Sequence, residues 1–227
     1  MDSRVSSTSV IIPAYNAGHF LEELVNRIRR SVGNIQVIVI DDGSIDRTAE
    51  IAHSIGAILL RHDKNCGKGS ALQTGFNFIK NSTDIEFILT LDADLQHRPE
   101  DIQNFFNTQR QTGADIVIGW RNRIGTKMPL HRIMSNTLTS ALVSLKTGQK
   151  IKDSQCGFRM IRKRVLENIQ LESRGYEAET EFLIKAARLK FRIEFVPIET
   201  VYGNEKSYIT HWATTMNFIK VLLRKYS

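Results

Sequence analysis

Asp92–Ala93–Asp94 carries the most chemistry in this 227-residue sequence. Two carboxylates one residue apart, at the end of the aliphatic run Phe87–Ile88–Leu89–Thr90–Leu91, can both reach one hard cation. Mg²⁺ or Mn²⁺ takes oxygen ligands and keeps open positions for substrate phosphates. An ion held there neutralises charge on a departing diphosphate. Gln96 follows closely, as a further oxygen ligand or as the holder of a metal-bound water. An isolated Asp-x-Asp is often a solvated turn. Its place after an aliphatic run favours metal binding here.

Four other apolar runs end in polar clusters. Ser9–Val10–Ile11–Ile12 leads into Pro13–Ala14–Tyr15–Asn16, and Val37–Ile38–Val39–Ile40 into Asp41–Asp42–Gly43–Ser44. Ile58–Leu59–Leu60 precedes Asn65–Cys66–Gly67–Lys68–Gly69, and Ile116–Val117–Ile118 precedes Gly119–Trp120–Arg121. Asp41 or Asp42 can accept hydrogen bonds from a base or ribose, while Ser44 or Asp46 can cap the helix that follows. Lys68 falls at a helix N-terminus, as in a phosphate cradle. The loop is neither a Walker loop nor a dinucleotide fingerprint, because His62 and Leu72 stand where glycines are needed. Arg121, Arg123, Lys127, His131 and Arg132 gather positive charge suited to phosphate oxygens. A solvated basic loop is the plainer alternative. Asp153 to Arg159 reads as a polar loop. Of Glu177, Glu179 and Glu181 at most two can serve one site, leaving the rest for the surface.

These clusters need a scaffold that collects strand ends. Helical spacing follows each strand: Phe20, Leu21, Leu24, Val25 and Ile28; a helix opening at Asp46–Arg47–Thr48; Lys68 to Lys80; and one begun by Pro99 that carries Ile102, Phe105 and Phe106. Strands alternating with such helices imply a parallel sheet covered on both faces. Its ligands bind outside the carboxyl ends of the strands. Further on, Pro129 to Leu145 and Tyr176 to Leu189 are predicted helices. Ile193 to Pro197 is a strand whose proline favours an edge. Tyr208 to Arg224 closes as a helix, with Ile209, Trp212, Met216, Ile219 and Leu222 as an apolar stripe that Phe218, Val221 and Leu223 widen. Core packing is the usual meaning of that stripe; the sharper one is a helix lying in a membrane interface. One α/β domain over residues 1–227 is expected: a nucleotide-binding half over about 8–120 and an acceptor half over about 121–227.

Composition narrows the partners. Hydrophobic residues make up 41% and the formal charge is +7, so an anionic partner is expected. Nucleic acid is disfavoured, because basic and aromatic residues do not interleave and no recognition-helix signature occurs. Cys66 and Cys156, far apart, imply no disulfide framework and point to a reducing cytoplasm. No run approaches the roughly 20 apolar residues of a membrane span.

In this order the motifs resemble a family 2 glycosyltransferase. The residues carrying the likeness are Val10 to Asn16, Asp41 to Ser44 with Asp46 and Thr48, Asn65 to Gly69, Asp92 to Gln96, and Asp153 to Arg159. The Asp-x-Asp-x-Gln pattern and the Gly157–Phe158–Arg159 loop resemble dolichyl- or polyprenyl-phosphate mannosyl- and glucosyltransferases. The resemblance implies a GT-A, Rossmann-like fold, a GDP- or UDP-sugar donor, Mg²⁺ or Mn²⁺, and inversion at the anomeric carbon. It places Pro13, Tyr15, Asn16, Asp42, Lys68 and Asp92 at the nucleotide-sugar, and Asp92, Asp94 and Gln96 at the metal. Arg121, Arg132 and Arg159 fall at the acceptor phosphate, and Asp153, Asp94 and Arg121 at the reacting groups. Many such enzymes carry membrane helices; this sequence has none, so peripheral contact with the cytoplasmic membrane face is expected. A glycan hydroxyl is the alternative acceptor, with Asp153 as base. A basic module binding an anionic membrane or nucleic acid without catalysis is the alternative of another class.

Overall fold

The computed structural model describes residues 3–121, 130–199 and 211–226, and their side chains except those of 3, 130–132 and 211–214. The first half runs α1 (Ser3–Ser6), β1 (Thr8–Ala14), α2 (Gly18–Val32), β2 (Gln36–Asp41), α3 (Thr48–Ser54), β3 (Ile58–Arg61), α4 (Lys68–Lys80) and β4 (Phe87–Thr90). A 3-10 turn at Pro99–Asp101 then enters α5 (Ile102–Thr112), followed by β5 (Ile116–Arg121) and α6 (Leu130–Thr147). The chain closes with β6 (Arg159–Arg162), α7 (Lys163–Asn168), α8 (Ala178–Arg188), β7 (Ile193–Ile198) and α9 (His211–Leu223).

One seven-stranded sheet links both halves, in the order β3-β2-β1-β4-β6-β5-β7. It is parallel except at β6, which runs antiparallel to β4 and β5. The mostly parallel sheet is as expected, but β6 replaces the end of what reads as a polar loop. Its four residues begin and end in arginine, which hides the apolar Met160–Ile161 between them. The proline-bearing β7 lies at the sheet edge, as expected.

Periodicity explains the layers. Leu21, Leu24, Val25 and Ile28 on α2 are fully buried. Each contributes roughly 1.5–3 kcal/mol at most by leaving water. With α3 and α5, α2 covers one face. The other face takes α4, α7 and α8. Gly75 lets α4 approach closely: a Cβ there would lie 3.0 Å from both Ile11 and Ile40. Outside α8 lie α6 and α9. The α9 stripe is buried in part. Phe218 and Val221 are buried, whereas Met216 and Ile219 are exposed. Helix α9 packs on α8 and α6, and the side it buries is the one on which Phe218 and Val221 widen the stripe. Ile209 and the Trp212 side chain lie outside the described residues.

The connections β1 to β3 move to one side of β1, and β4 pairs on its other side. The order therefore reverses between β1 and β4, and their carboxyl ends open the crevice where such sheets bind ligands.

Candidate active site

Tyr15 stands at the mouth of this crevice, 39% exposed, just beyond half-buried Pro13. Asn16 adopts a left-handed backbone (φ 51°). Its N–H donates to Ser44 Oγ at 2.8 Å, and its Oδ1 accepts from Ile45 N at 3.0 Å. Asn16 thus fastens the β1 loop to the β2 loop. Asp42 is used similarly. Its carboxylate accepts from Cys66 N (2.9 Å) and Gly67 N (2.8 Å) and meets His62 Nδ1 at 2.6 Å. His62 Nε2 contacts Thr74 Oγ1 at 2.9 Å. Among the described residues, Asp42, His62 and Cys66 form the one metal-sized His/Cys/Asp/Glu cluster. Hydrogen bonds already occupy its imidazole and carboxylate.

The Lys68 loop is not an open phosphate cradle. Gly69 N and Ser70 N, at the start of α4, both donate to Arg174 O. A Cβ on Gly67 would come within 2.4 Å of that carbonyl, and one on Gly69 within 2.3 Å of Ser173 O. The two glycines let residues 173–175 close over the helix end, and so bring α8 against Lys68. Lys68 Nζ then lies 2.6 Å from Asp92 Oδ1 and 2.8 Å from Glu179 Oε1. Burial alone would lower the lysine pKa, but the two carboxylates outweigh it and hold it above its ordinary value. Asp92 mirrors this: burial works to raise its pKa, and Lys68 chiefly holds it below the usual carboxylate range.

Glu179 escapes sequence reasoning as a site residue. Only the packing of α8 on the Gly67–Gly69 turn selects it from three nearby acids. Nor does Glu181 go to the surface. It is buried, accepting from Glu172 N and Ser173 N and paired with Lys185.

The carboxylate loop follows β4. Leu95 has φ 57°, and Asp94 Oδ1 accepts from Gln96 N at 3.0 Å. Asp92, Asp94 and Gln96 are each partly exposed on this one turn. A Cβ on Gly157 would reach 2.7 Å from Asp92 Oδ2, so glycine makes the room that Asp92 needs. Thr90 Oγ1 anchors the same loop by donating to Gly157 O at 2.7 Å. Hard oxygen donors on one turn fit Mg²⁺ or Mn²⁺. Behind them His97 is buried, and desolvation pushes its pKa down to about 4, leaving a neutral ring at pH 7.

At the end of β5, Arg121 grips fully buried Asp153: Nε to Oδ2 at 2.8 Å, Nη2 to Oδ1 at 3.0 Å. Arg159 is a correction to the acceptor set. It is buried, and its guanidinium donates to the carbonyls of Cys156, Ser154 and Glu179. All three nitrogens serve the backbone, so Arg159 braces the loop instead of facing a ligand. The side chains of Arg132 and His131 lie outside the described residues, as do Arg123 and Lys127.

An α/β fold with cations and carboxylates gathered at its switch-point crevice puts a polar ligand site where such sheets bind their ligands. The profile of Glycosyl transferase family 2 matches residues 9–170. The chain belongs to that family, and it is a glycosyltransferase. It is 36% identical to the dolichol-phosphate mannosyltransferase of Pyrococcus furiosus, over 78% of this chain and 52% of that enzyme. It is 30% identical to the UDP-N-acetylglucosamine–dolichyl-phosphate N-acetylglucosaminyltransferase of Methanococcus voltae, over 85% of each. The solved glucosyl-3-phosphoglycerate synthase of Mycobacterium tuberculosis, in complex with uridine diphosphate, superposes with a TM-score of 0.76 at 22% identity. The match covers 96% of this chain and 79% of that one, and the fold is GT-A.

Proposed function

We propose that this protein transfers a hexose, with inversion, from a GDP- or UDP-sugar to a polyprenyl phosphate, in a reaction that depends on Mg²⁺ or Mn²⁺. The observation that carries the choice of acceptor is the buried two-pronged pair between Arg121 and Asp153. A carboxylate clamped by a guanidinium is a poor proton acceptor. A phosphate acceptor is already ionised and needs no base. Relatives named for dolichyl and undecaprenyl phosphate acceptors support the same reading.

In this reading Tyr15 and Pro13 line the nucleotide. Asp92, Asp94 and Gln96 would hold the metal, whose chemistry there would be to offset the negative charge of the departing diphosphate. Lys68 turns from Glu179 toward the same phosphates, and Arg121 orients the acceptor phosphate. Fixed cations that need no rearrangement as charge builds favour the transition state. Asp42 and Asn16 act from behind, by fixing the loops that carry Lys68 and Tyr15.

The test incubates the purified protein with labelled UDP- and GDP-sugars, Mn²⁺ or Mg²⁺, and a polyprenyl phosphate, and counts label in the lipid phase. Metal-dependent labelling that Asp92→Asn abolishes supports the proposal and names the donor. Release of UDP or GDP without lipid labelling moves the acceptor to a glycan hydroxyl.

A further inference from the structure

Asp42, His62 and Cys66 offer donors of another kind from those of the Asp92 turn. One carboxylate oxygen, one ring nitrogen and one sulfur lie within 4.8 Å of one another. The three residues follow β2, follow β3 and precede α4, so only the fold brings them together. Asp92, Asp94 and Gln96 present oxygen alone, which suits a hard ion. Nitrogen and sulfur beside one carboxylate suit a borderline-soft ion, above all Zn²⁺.

The cluster is held in place by the backbone around it. Gly43 has φ 74°, and a Cβ there would lie 2.4 Å from Lys64 C, so glycine lets the β2 loop press on residues 64–65. His62 N donates to Asp41 O at 2.9 Å, which prolongs the pairing of β3 with β2. Buried Asp42 is pinned through both oxygens, Oδ2 by Gly67 N at 2.8 Å and Oδ1 by Cys66 N at 2.9 Å.

A second lone pair of Oδ1 faces His62 Nδ1 across 2.6 Å, and one proton joins the two atoms. A metal ion competes with protons for such lone pairs. An ion at about 2.0–2.1 Å from each atom needs the gap to widen by roughly half an ångström. His62 follows β3, the outermost strand on that side of the sheet, and is only half-buried, so it has room to yield. On the far side of the ring, Nε2 meets Thr74 Oγ1 at 2.9 Å. A metal-bound imidazole is oriented by such a partner on its other nitrogen. Cys66 Sγ is held only by a contact to Lys64 O at 3.3 Å, which a thiol gives up with its proton. Thiolate and carboxylate together carry two negative charges, which a divalent ion neutralises.

We propose that Asp42 Oδ1, His62 Nδ1 and Cys66 Sγ bind one Zn²⁺ ion, with water as the fourth ligand. On binding, the thiol proton passes to solvent. The imidazole binds as the Nε2–H tautomer and donates to Thr74 Oγ1. The ion ties the loop that carries Lys68 to the ends of β2 and β3, and gives the protein a metal site of a different class from the Asp92 turn. The inference does not depend on which sugar or acceptor the enzyme uses.

The experiment titrates the full chain, freed of metal by a chelator, with Co²⁺ as a coloured stand-in for Zn²⁺. A thiolate-to-cobalt charge-transfer band is expected, erased by equimolar Zn²⁺ and untouched by excess Mg²⁺. Zn²⁺ should also slow the reaction of Cys66 with a thiol reagent. Cys66→Ser should abolish the band; Cys156 is the only other thiol in the sequence. Thr74→Val should keep the band and weaken Zn²⁺ binding by roughly tenfold to a hundredfold. His62→Gln should weaken it by at least as much. Circular dichroism confirms that each variant is folded. Absence of the band from the parent chain, its survival in Cys66→Ser, its loss to Mg²⁺, or an unchanged Zn²⁺ affinity in His62→Gln overturns the proposal.

Discussion

Arg121 and Asp153 meet at the end of β5 in a pair closed at both prongs, 2.8 and 3.0 Å long, although 32 positions separate them. Asp153 is fully buried there. If its task is to aim Arg121, the two act as a unit. Asp153→Asn and Arg121→Ala should each lower kcat by roughly tenfold to a hundredfold, the cost of a charged hydrogen bond. The double variant should be no worse than the poorer single one. Steady-state kinetics on the three variants checks this. Losses that multiply would give Asp153 an independent role, such as base.

Lys68 is shared between Asp92 and Glu179, so a nucleotide diphosphate must draw it from carboxylates that already neutralise it. Lys68→Met should weaken UDP or GDP binding by roughly tenfold or more. Glu179→Gln keeps the shape and removes one competitor, and should tighten binding by a few-fold. Calorimetric titration distinguishes these signs. A large loss of affinity in Glu179→Gln would make Glu179 itself a ligand group.

Gly157 leaves no space for a side chain beside Asp92, with a Cβ placed 2.7 Å from its Oδ2. Gly157→Ala should displace the carboxylate, at a stability cost of about 1–3 kcal/mol from overpacking. Thermal unfolding should register that cost, and Mn²⁺ dependence should shift to higher concentration. Parent-like activity at low Mn²⁺ would show that Asp92 tolerates the displacement.

The residues that follow strand ends were legible in the sequence, because a parallel sheet puts every such cluster on one edge. Pairings across distant elements were not. Arg159 looks like a phosphate ligand until β6 buries it and three carbonyls surround it. The Gly67–Lys68–Gly69 turn looks like a phosphate cradle until Arg174 O caps it. In both cases a backbone carbonyl from elsewhere takes the hydrogen bonds that a ligand would have used, and no local spacing encodes where that carbonyl will be. The α9 stripe is only partly buried for a related reason: a helix in an outer layer covers only one side of its apolar surface, here the side of Phe218 and Val221.

The two thiols should differ sharply in reactivity. Burial pushes the Cys156 thiol up to about 12, so it stays protonated at neutral pH. Cys66 is partly exposed on the Lys68 loop. An aromatic disulfide reagent should release one equivalent of thiolate from native protein and a second only on unfolding. Nucleotide should slow the first equivalent if it binds over that loop. Rapid release of two equivalents from folded protein would place Cys156 within reach of solvent.

Asp46 ties two helix starts together. Its Oδ1 accepts from Thr48 N at 3.0 Å, and its Oδ2 accepts from Gly18 N at 3.0 Å. Burial works to raise its pKa, but the hydrogen bonds from Thr48 and Gly18 outweigh it and set the carboxyl below its ordinary value. A group depressed in the folded state binds fewer protons there than in the unfolded chain. Its stabilisation is therefore complete above its unfolded pKa and is lost as pH falls through the folded one. Asp46→Ala should cost about 1–2 kcal/mol at pH 7, as for the loss of a helix cap. The gap between the parent and this variant should hold down to about pH 4, near the ordinary aspartate pKa, and narrow below it. Urea unfolding at a series of pH values measures that gap directly. A gap that stays constant to pH 3 would mean that the shape of the side chain, and not its charge, fastens the two helices.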